Sequence, residues 1–222
     1  MAAGANATPD TWEGAAPAAA HAARTHAGVG KPCYAVRVVA LPLELESLRP
    51  LRRAEYDQMV AQGSFEGEHV ELLEGFIVRM TPQKPPHSSI VETLTEVFVL
   101  KFAGRAKVRC QLPFALSDVS EPEPDFAIVP LGDYANEHPA TAYFLVEVAH
   151  TSMAQDRRKA ALYARAGVPE YWLIDVDNQL LEVFTEPVGD AYTRVTPYRR
   201  GEAIAARAFP ELALDVAAMF GA

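Results

Sequence analysis

The order of elements readable in the sequence, a helix and hairpin, a long helix, several strands, a second helix and more strands, predicts an α/β (α+β) fold: a mixed β-sheet flanked by helices. Two observations carry that prediction. Apolar residues recur at helical spacing over 87–103 and again over 153–166, and short apolar runs bounded by Pro, Gly, Asp and Asn lie between and after them. Half of the 222 residues are apolar, enough for one substantial core.

Residues 1–40 are rich in Ala, Gly, His, Thr and Pro with little apolar periodicity, so a disordered tail is expected ahead of a single domain over 41–222. A helix follows Pro50, with Leu51, Tyr56, Met59 and Val60 as its apolar stripe and Gly63 as its stop. Val70–Leu73 and Phe76–Met80 flank Glu74-Gly75 as a hairpin, and 81–86 is a proline-rich loop. Over 87–103, Ile90, Val91, Leu94, Val97, Phe98 and Phe102 mark the longest helix. Strands are expected over 107–116 with a break at Pro113, then over 125–130 and 142–148. The second helix ends at Gly167-Val-Pro169, and strands over 171–176, 180–184, 192–198 and 203–206 precede a short closing piece at 211–220.

No stretch reaches the roughly eighteen apolar residues of a membrane span, and the first thirty residues lack a secretory pattern, so a cytoplasmic protein is expected. Cys33 and Cys110 support neither a disulfide framework nor a thiolate metal site. The formal net charge is −9, and three bases against two acids through residue 40 leave −10 on the remainder. Such a chain does not coat nucleic acid nonspecifically, and a nucleic-acid partner must meet a local basic surface. Arg105, Lys107 and Arg109, Arg157 and Arg158, and Arg199 with Arg200 are the candidates. There is no phosphate-binding Gly-rich loop ending in Gly-Lys-Ser or Gly-Lys-Thr, no Gly-x-Ser-x-Gly elbow and no His-Glu-x-x-His, which excludes the commonest nucleotide, serine-hydrolase and zinc-peptidase chemistries.

Residues 121–175 carry the chemistry. Asp125 opens one strand and Glu147 sits near the end of the next, so antiparallel pairing brings the two carboxylates together. Alternation puts Leu145, Glu147 and Ala149 on one face and Phe144, Val146 and Val148 on the other. On the following helix Lys159 shares a stripe with Leu162 and Tyr163, which should carry its ammonium onto the sheet, where Asp156 or Glu147 could pair with it. Paired carboxylates with a nearby ammonium suit Mg²⁺-assisted phosphodiester cleavage. Glu121 and Glu123, held extended by prolines, read as a solvated rim.

Val70-Glu71-Leu-Leu-Glu-Gly75, His87, Ser120-Glu-Pro-Glu-Pro-Asp125, Leu145-Val-Glu147-Val-Ala and the run from Asp156 and Lys159 to Tyr163-Ala-Arg-Ala-Gly-Val-Pro-Glu-Tyr-Trp resemble the Uma-two family of restriction-type endonucleases, within the PD-(D/E)XK nuclease superfamily. The resemblance runs from about residue 48 to the C-terminus. It implies a restriction-endonuclease-like core and a metal-dependent endonuclease acting on nucleic acid, with DNA the expected substrate and a homodimer the expected assembly. It also implies Mg²⁺ (or Mn²⁺) on Asp125, Glu147 and Glu71, catalysis by these acids with Lys159, and His87, Asp156 and Arg158 around the substrate. The superfamily lysine two residues after the Glu is here Ala149, and the resemblance implies its migration to Lys159. Two residues separate Asp156 from Lys159 where the family pattern has three, and His150 stands where Asp or Ser is usual. With the acidity and Ala149, that spacing leaves a second reading open: a catalytically degenerate module that keeps the fold for binding.

Overall fold

The computed structural model describes residues 47–150 and 152–221, so the tail expected over 1–40 lies outside the described residues. The chain forms α1 (Arg53–Ala61), β1 (Val70–Leu73), β2 (Phe76–Arg79), α2 (Pro85–Phe102), β3 (Lys107–Cys110), β4 (Phe126–Val129), β5 (Phe144–Ala149), α3 (Met153–Arg165), β6 (Glu170–Asp175), β7 (Leu180–Val188), β8 (Ala191–Arg199), β9 (Ala203–Ile204), β10 (Leu214–Asp215) and α4 (Val216–Met219). A six-stranded sheet runs β3-β4-β5-β6-β7-β8, with β1-β2 and β9-β10 as separate pairs. Only β5 and β6 pair in parallel, joined by α3 as a crossover, and the other neighbours are antiparallel. The sheet is therefore mixed, and helices cover both of its faces, as expected.

Strand alternation divides the core. Phe126, Ile128, Phe144, Val146, Val148 and Trp172 pack against Ile90, Leu94, Phe98 and Phe102 of α2 on one face. Ala127, Val129, Leu145, Ala149, Tyr171 and Leu173 pack against Ala160 and Tyr163 of α3 on the other. Phe98 lies edge-on to Phe126 at 5.1 Å and to Phe144 at 6.2 Å, so the centre of the α2 side is an aromatic layer.

Several boundaries differ from the sequence expectation for identifiable reasons. β3 stops at Cys110 rather than continuing to Leu116, because Gln111 adopts φ 51°, outside the strand region. The helix expected from His87 begins at Pro85, where prolines occupy positions whose N–H groups would be unsatisfied anyway. In α1, Tyr56 is buried but Val60 is half exposed, so the stripe is narrower than its spacing suggests. The segment at 203–206 yields β9, which pairs with β10 and leaves the large sheet's edge to β8. Among the described residues no helix is long and apolar enough to cross a membrane.

The β1–β2 hairpin closes through Glu74 (φ 51°) and Gly75 (φ 83°). A Cβ at position 75 would lie 2.4 Å from Cβ of Pro50, so only glycine lets the turn seat against that segment. Gly75 N–H donates to Val119 O at 2.7 Å, and Leu51 N–H donates to Gly75 O at 3.0 Å.

Candidate active site

The register Phe126↔Val146 puts Asp125, just ahead of β4, level with Glu147 on β5. The two side chains emerge on the α3 face of the sheet. Val148 N–H donates to Asp125 Oδ2 at 2.8 Å, and Asp125 N–H lies 3.4 Å from Glu147 Oε2. Asp125 also accepts from Gln111 Nε2 at 3.1 Å and lies 3.0 Å from His87 Nε2, a contact that requires the imidazole proton on that nitrogen.

Lys159 reaches this pair from α3. Its Nζ donates to Glu147 Oε1 at 3.1 Å and to Glu71 Oε2 at 3.2 Å. The sequence offered Asp156 or Glu147 as the partner of Lys159. In the fold, Glu147 and Glu71 make its hydrogen bonds, while Asp156 is buried nearby and accepts from Ser152 Oγ at 2.5 Å. Tyr163 Oη donates to Glu147 Oε1 at 2.7 Å, and Glu71 Oε2 also accepts from Glu123 N–H at 3.2 Å. The α3 crossover explains the convergence: Glu147 lies toward the end of β5, while Asp156, Lys159 and Tyr163 lie on successive turns of the helix that folds back over it.

Relative exposures of 2% for Glu71, 8% for Asp125, 4% for Glu147, 6% for Asp156 and 7% for Lys159 place five charged groups in one buried cluster. Burial pushes the Glu147 carboxyl up, and Asp125, Asp156 and Glu71 add to this against the opposing Lys159. Burial also works against the Lys159 ammonium, but Glu147, Glu71 and Asp156 outweigh it and hold the group charged above the ordinary lysine range. For His87, burial is opposed by the hydrogen bond and charge of Asp125, which together raise it.

These residues line a cleft of about 110 Å³ whose mouth is formed by Thr81, Pro82, Gln83 and Lys84 and by Gln155. His150 also lines it, with Nε2 3.3 Å from Asp177 Oδ1. Arg158 is exposed and borders a neighbouring groove shared with Arg79, Gln155 and Lys159. Of the other basic candidates, Arg157 is held by Glu182 at 2.8 Å and Arg105 by Glu211, while Lys107 and Arg109 sit over the Tyr134 ring at 5.5 and 5.8 Å.

Among the described residues, no three or more His, Cys, Asp or Glu side chains are disposed to enclose a metal ion. A hard cation needs fewer protein donors, because Mg²⁺ is held by one or two carboxylates with waters completing its shell. Asp125 and Glu147 are such a pair, and four acids face one lysine in the cluster, so the residues fit a divalent cation by charge and donor type.

Glu121 departs from expectation. It is not a solvated rim residue but is 4% exposed, because its backbone bridges to Leu72 of the hairpin. Sequence reasoning also missed three donors that orient the acids. Tyr163 shares the Lys159 stripe and Ser152 precedes a helix, positions that hint at their roles, whereas nothing local marks Gln111.

The mixed sheet with helices on both faces is a restriction-endonuclease-like core, and the acid–lysine cluster gathers at it from β1, β5, α3 and the residue ahead of β4. Residues 53–217 match the Uma2 family, described as "Putative restriction endonuclease", and the chain belongs to that family. No curated protein matches the sequence. Among solved structures, one described as a "putative nuclease belonging to DUF820" from Anabaena variabilis superposes with a TM-score of 0.63 at 17% identity. That match covers 77% of this chain and 98% of the other and supports the shared fold.

Proposed function

We propose that this protein is a Mg²⁺- or Mn²⁺-dependent endonuclease that hydrolyses phosphodiester bonds, with DNA as its substrate. The observation that carries the reading is the meeting of Asp125, Glu147 and Lys159 in one cleft, from two adjacent strands and the crossover helix. Asp125 and Glu147 are the residues to hold the ion, with Glu71 beside them. A bound divalent cation supplies an acidified water and neutralises charge building on the phosphate.

The chain's own groups do the rest. Val148 N–H, Gln111 and His87 fix the Asp125 carboxylate, and Tyr163 and Lys159 fix that of Glu147. Lys159 keeps its proton at the operating pH, so it serves as an electrostatic donor to a phosphate oxygen and not as a base. Glu71 is a second anchor for that ammonium beside Glu147. Lys84 at the cleft mouth and Arg158 beside it are the local basic groups that an otherwise acidic chain offers a phosphate backbone. Cutting both strands of a duplex needs two such sites, so a two-fold dimer is part of the proposal.

The test is incubation of the purified chain with plasmid DNA and with single-stranded RNA, in Mn²⁺, in Mg²⁺ and in EDTA. Metal-dependent nicking of the plasmid, lost in Asp125→Asn, is the expected result. Cleavage by Asp125→Asn at the parent rate would overturn the site, and RNA cleavage alone would overturn the substrate. The acidity and Ala149 favour a second reading, a degenerate module. That reading predicts neither cleavage nor tight Mn²⁺ binding.

A further inference from the structure

The catalytic cleft continues into a groove of about 320 Å³ between the β1–β2 hairpin and α3, which the proposed chemistry leaves without a role. Gln155 and Lys159 line both. The groove walls grow from the elements that carry the reacting groups. Val78 stands opposite Glu71 across the hairpin, and Leu73 is two residues along the strand from Glu71, so both share its face. Leu162 lies one turn beyond Lys159 on α3. All three are half-buried, so part of their apolar surface stays open to the groove.

Charge marks the two openings. Arg79 is paired with Glu68, Arg165 with Glu74 and Arg157 with Glu182. The guanidinium of Arg158 at the groove and the ammonium of Lys84 at the cleft mouth make no ion pair or hydrogen bond with any described residue. In a chain of net charge −9, cations that its own acids leave unneutralised, one at each opening, favour successive phosphates of one strand.

Depth decides the form of that strand. Glu71, Glu147 and Lys159 are buried at the bottom of a cleft of about 110 Å³. A stacked duplex is a stiff rod with its phosphates on the outside and its base pairs close behind, and it cannot lower one phosphate to those groups. A single strand can, because its bases are free to turn aside. The groove volume sits at the lower end of small-molecule sites, about 300–1,000 Å³, which suits the sugar and base of one nucleotide and not a base pair.

We propose that the groove is a subsite for one unpaired nucleotide next to the scissile phosphate, so that the substrate is single-stranded DNA or a locally unpaired stretch of a duplex. This rests on the nuclease reading above. Leu73, Val78 and Leu162 cover the sugar and base, and Arg158 takes the next phosphate. In a duplex the base must first leave its stack, a cost that negative supercoiling of a plasmid lowers.

Fluorescence anisotropy of the full chain, with Ca²⁺ in place of Mg²⁺, tests this with three labelled probes of about twelve nucleotides: oligo-dT, the same backbone without bases, and the dT·dA duplex. Oligo-dT should bind at least about tenfold more tightly than either of the others. Leu162→Glu, which puts a carboxylate on the groove wall, should bring oligo-dT down to the level of the abasic strand. Leu100→Glu, the same change at an exposed position of α2, should leave the preference intact. Thermal melts show that each variant is folded, and the comparison of oligo-dT with the abasic strand needs no variant. Equal affinity for those two strands, a duplex bound as tightly as oligo-dT, or a folded Leu162→Glu variant that keeps the parent preference overturns the subsite. Binding of none of the probes overturns it as well, and plasmid nicking then separates its failure from that of the nuclease reading.

Discussion

Phe144, Val146 and Val148 face one side of β5, and Leu145, Glu147 and Ala149 the other, so one six-residue strand serves two different environments. On the α2 side the neighbours are Phe98, Phe126 and Trp172, an apolar layer whose buried carboxylate, Glu170 on the next strand, is held by Trp172 Nε1 and Arg207 N–H. On the α3 side an apolar layer of Leu145, Ala149, Tyr163 and Tyr171 gives way at one end to Glu147, Asp125 and Lys159. Burial is nearly equal on the two sides. What differs is that burial on the first contributes stability by removing apolar surface from water, whereas on the second it desolvates charges that must be held by partners. The strand separates what keeps the sheet intact from what it can do.

That separation is open to test by substitution. Phe98→Ala should have the largest effect on stability, about 3–5 kcal/mol lost by chemical denaturation, because a fully buried ring among four aromatic neighbours leaves a cavity. A loss below about 1 kcal/mol would show that the aromatic layer repacks freely.

Lys159→Met acts on the other side. Plasmid cleavage should fall by about a hundredfold or more with Mn²⁺ affinity retained, the scale of losing one preorganised electrostatic group. Adding Ala149→Lys should restore part of the activity, since positions 147 and 149 share a face. Cleavage at the parent rate by Lys159→Met would remove the lysine from the mechanism.

Replacing Asp125 by Asn or Glu147 by Gln should weaken Mn²⁺ binding by at least about tenfold. The melting temperature should hold steady or rise, because each change relieves repulsion among crowded acids. Tight Mn²⁺ binding by both variants, read by electron paramagnetic resonance, would move the metal elsewhere.

Glu121 extends the comparison to a buried acid without a close partner. Its carboxyl, pushed up to about 7 from an ordinary 4.5, binds a proton more firmly in the folded chain than in the unfolded one. The stability present below the unfolded value is therefore lost as pH rises from 4.5 through 7. Glu121→Gln does not titrate, so it should match the parent near pH 4 and exceed it by about 3 kcal/mol at pH 8, less what solvent screening removes. Equal urea midpoints at both pH values would refute this. Arg158→Met, at an exposed position one residue from Lys159, should move stability by less than about 0.5 kcal/mol, weakening DNA binding while leaving the cleavage rate at saturating DNA unchanged.

Most of the fold and the centre of the site were legible because both rest on periodicity. Alternation placed Glu147 opposite the aromatic face, antiparallel pairing brought Asp125 beside it, and the spacing to Tyr163 put Lys159 on the buried stripe. What could not be read depends on contacts distant in sequence. Glu71 lies 88 residues from Lys159 yet accepts from it, while Asp156, one turn away, accepts from Ser152 instead. Glu121, ahead of Pro122, looks solvated until Leu72 pairs with its backbone and buries it. The end of β3 turns on the single backbone angle of Gln111, a residue type that carries no such signal.

The route by which Lys159 arrives has a geometric consequence. A side chain two positions along a strand is fixed to its neighbour by the pleat, roughly 7 Å per pair of residues, and cannot be adjusted without moving the sheet. One borne on a crossover helix hangs from a separate body, whose distance from the sheet is set by bulk at its contact layer, here Ala160 beside the ring pair Tyr163 and Tyr171, 5.1 Å apart. Enlarging or trimming that layer slides the ammonium toward or away from the carboxylates as a screw sets a gap. The spacing between cation and acids thus becomes a quantity that packing can tune by fractions of an ångström, with Asp125, Glu147 and Lys159 themselves unchanged.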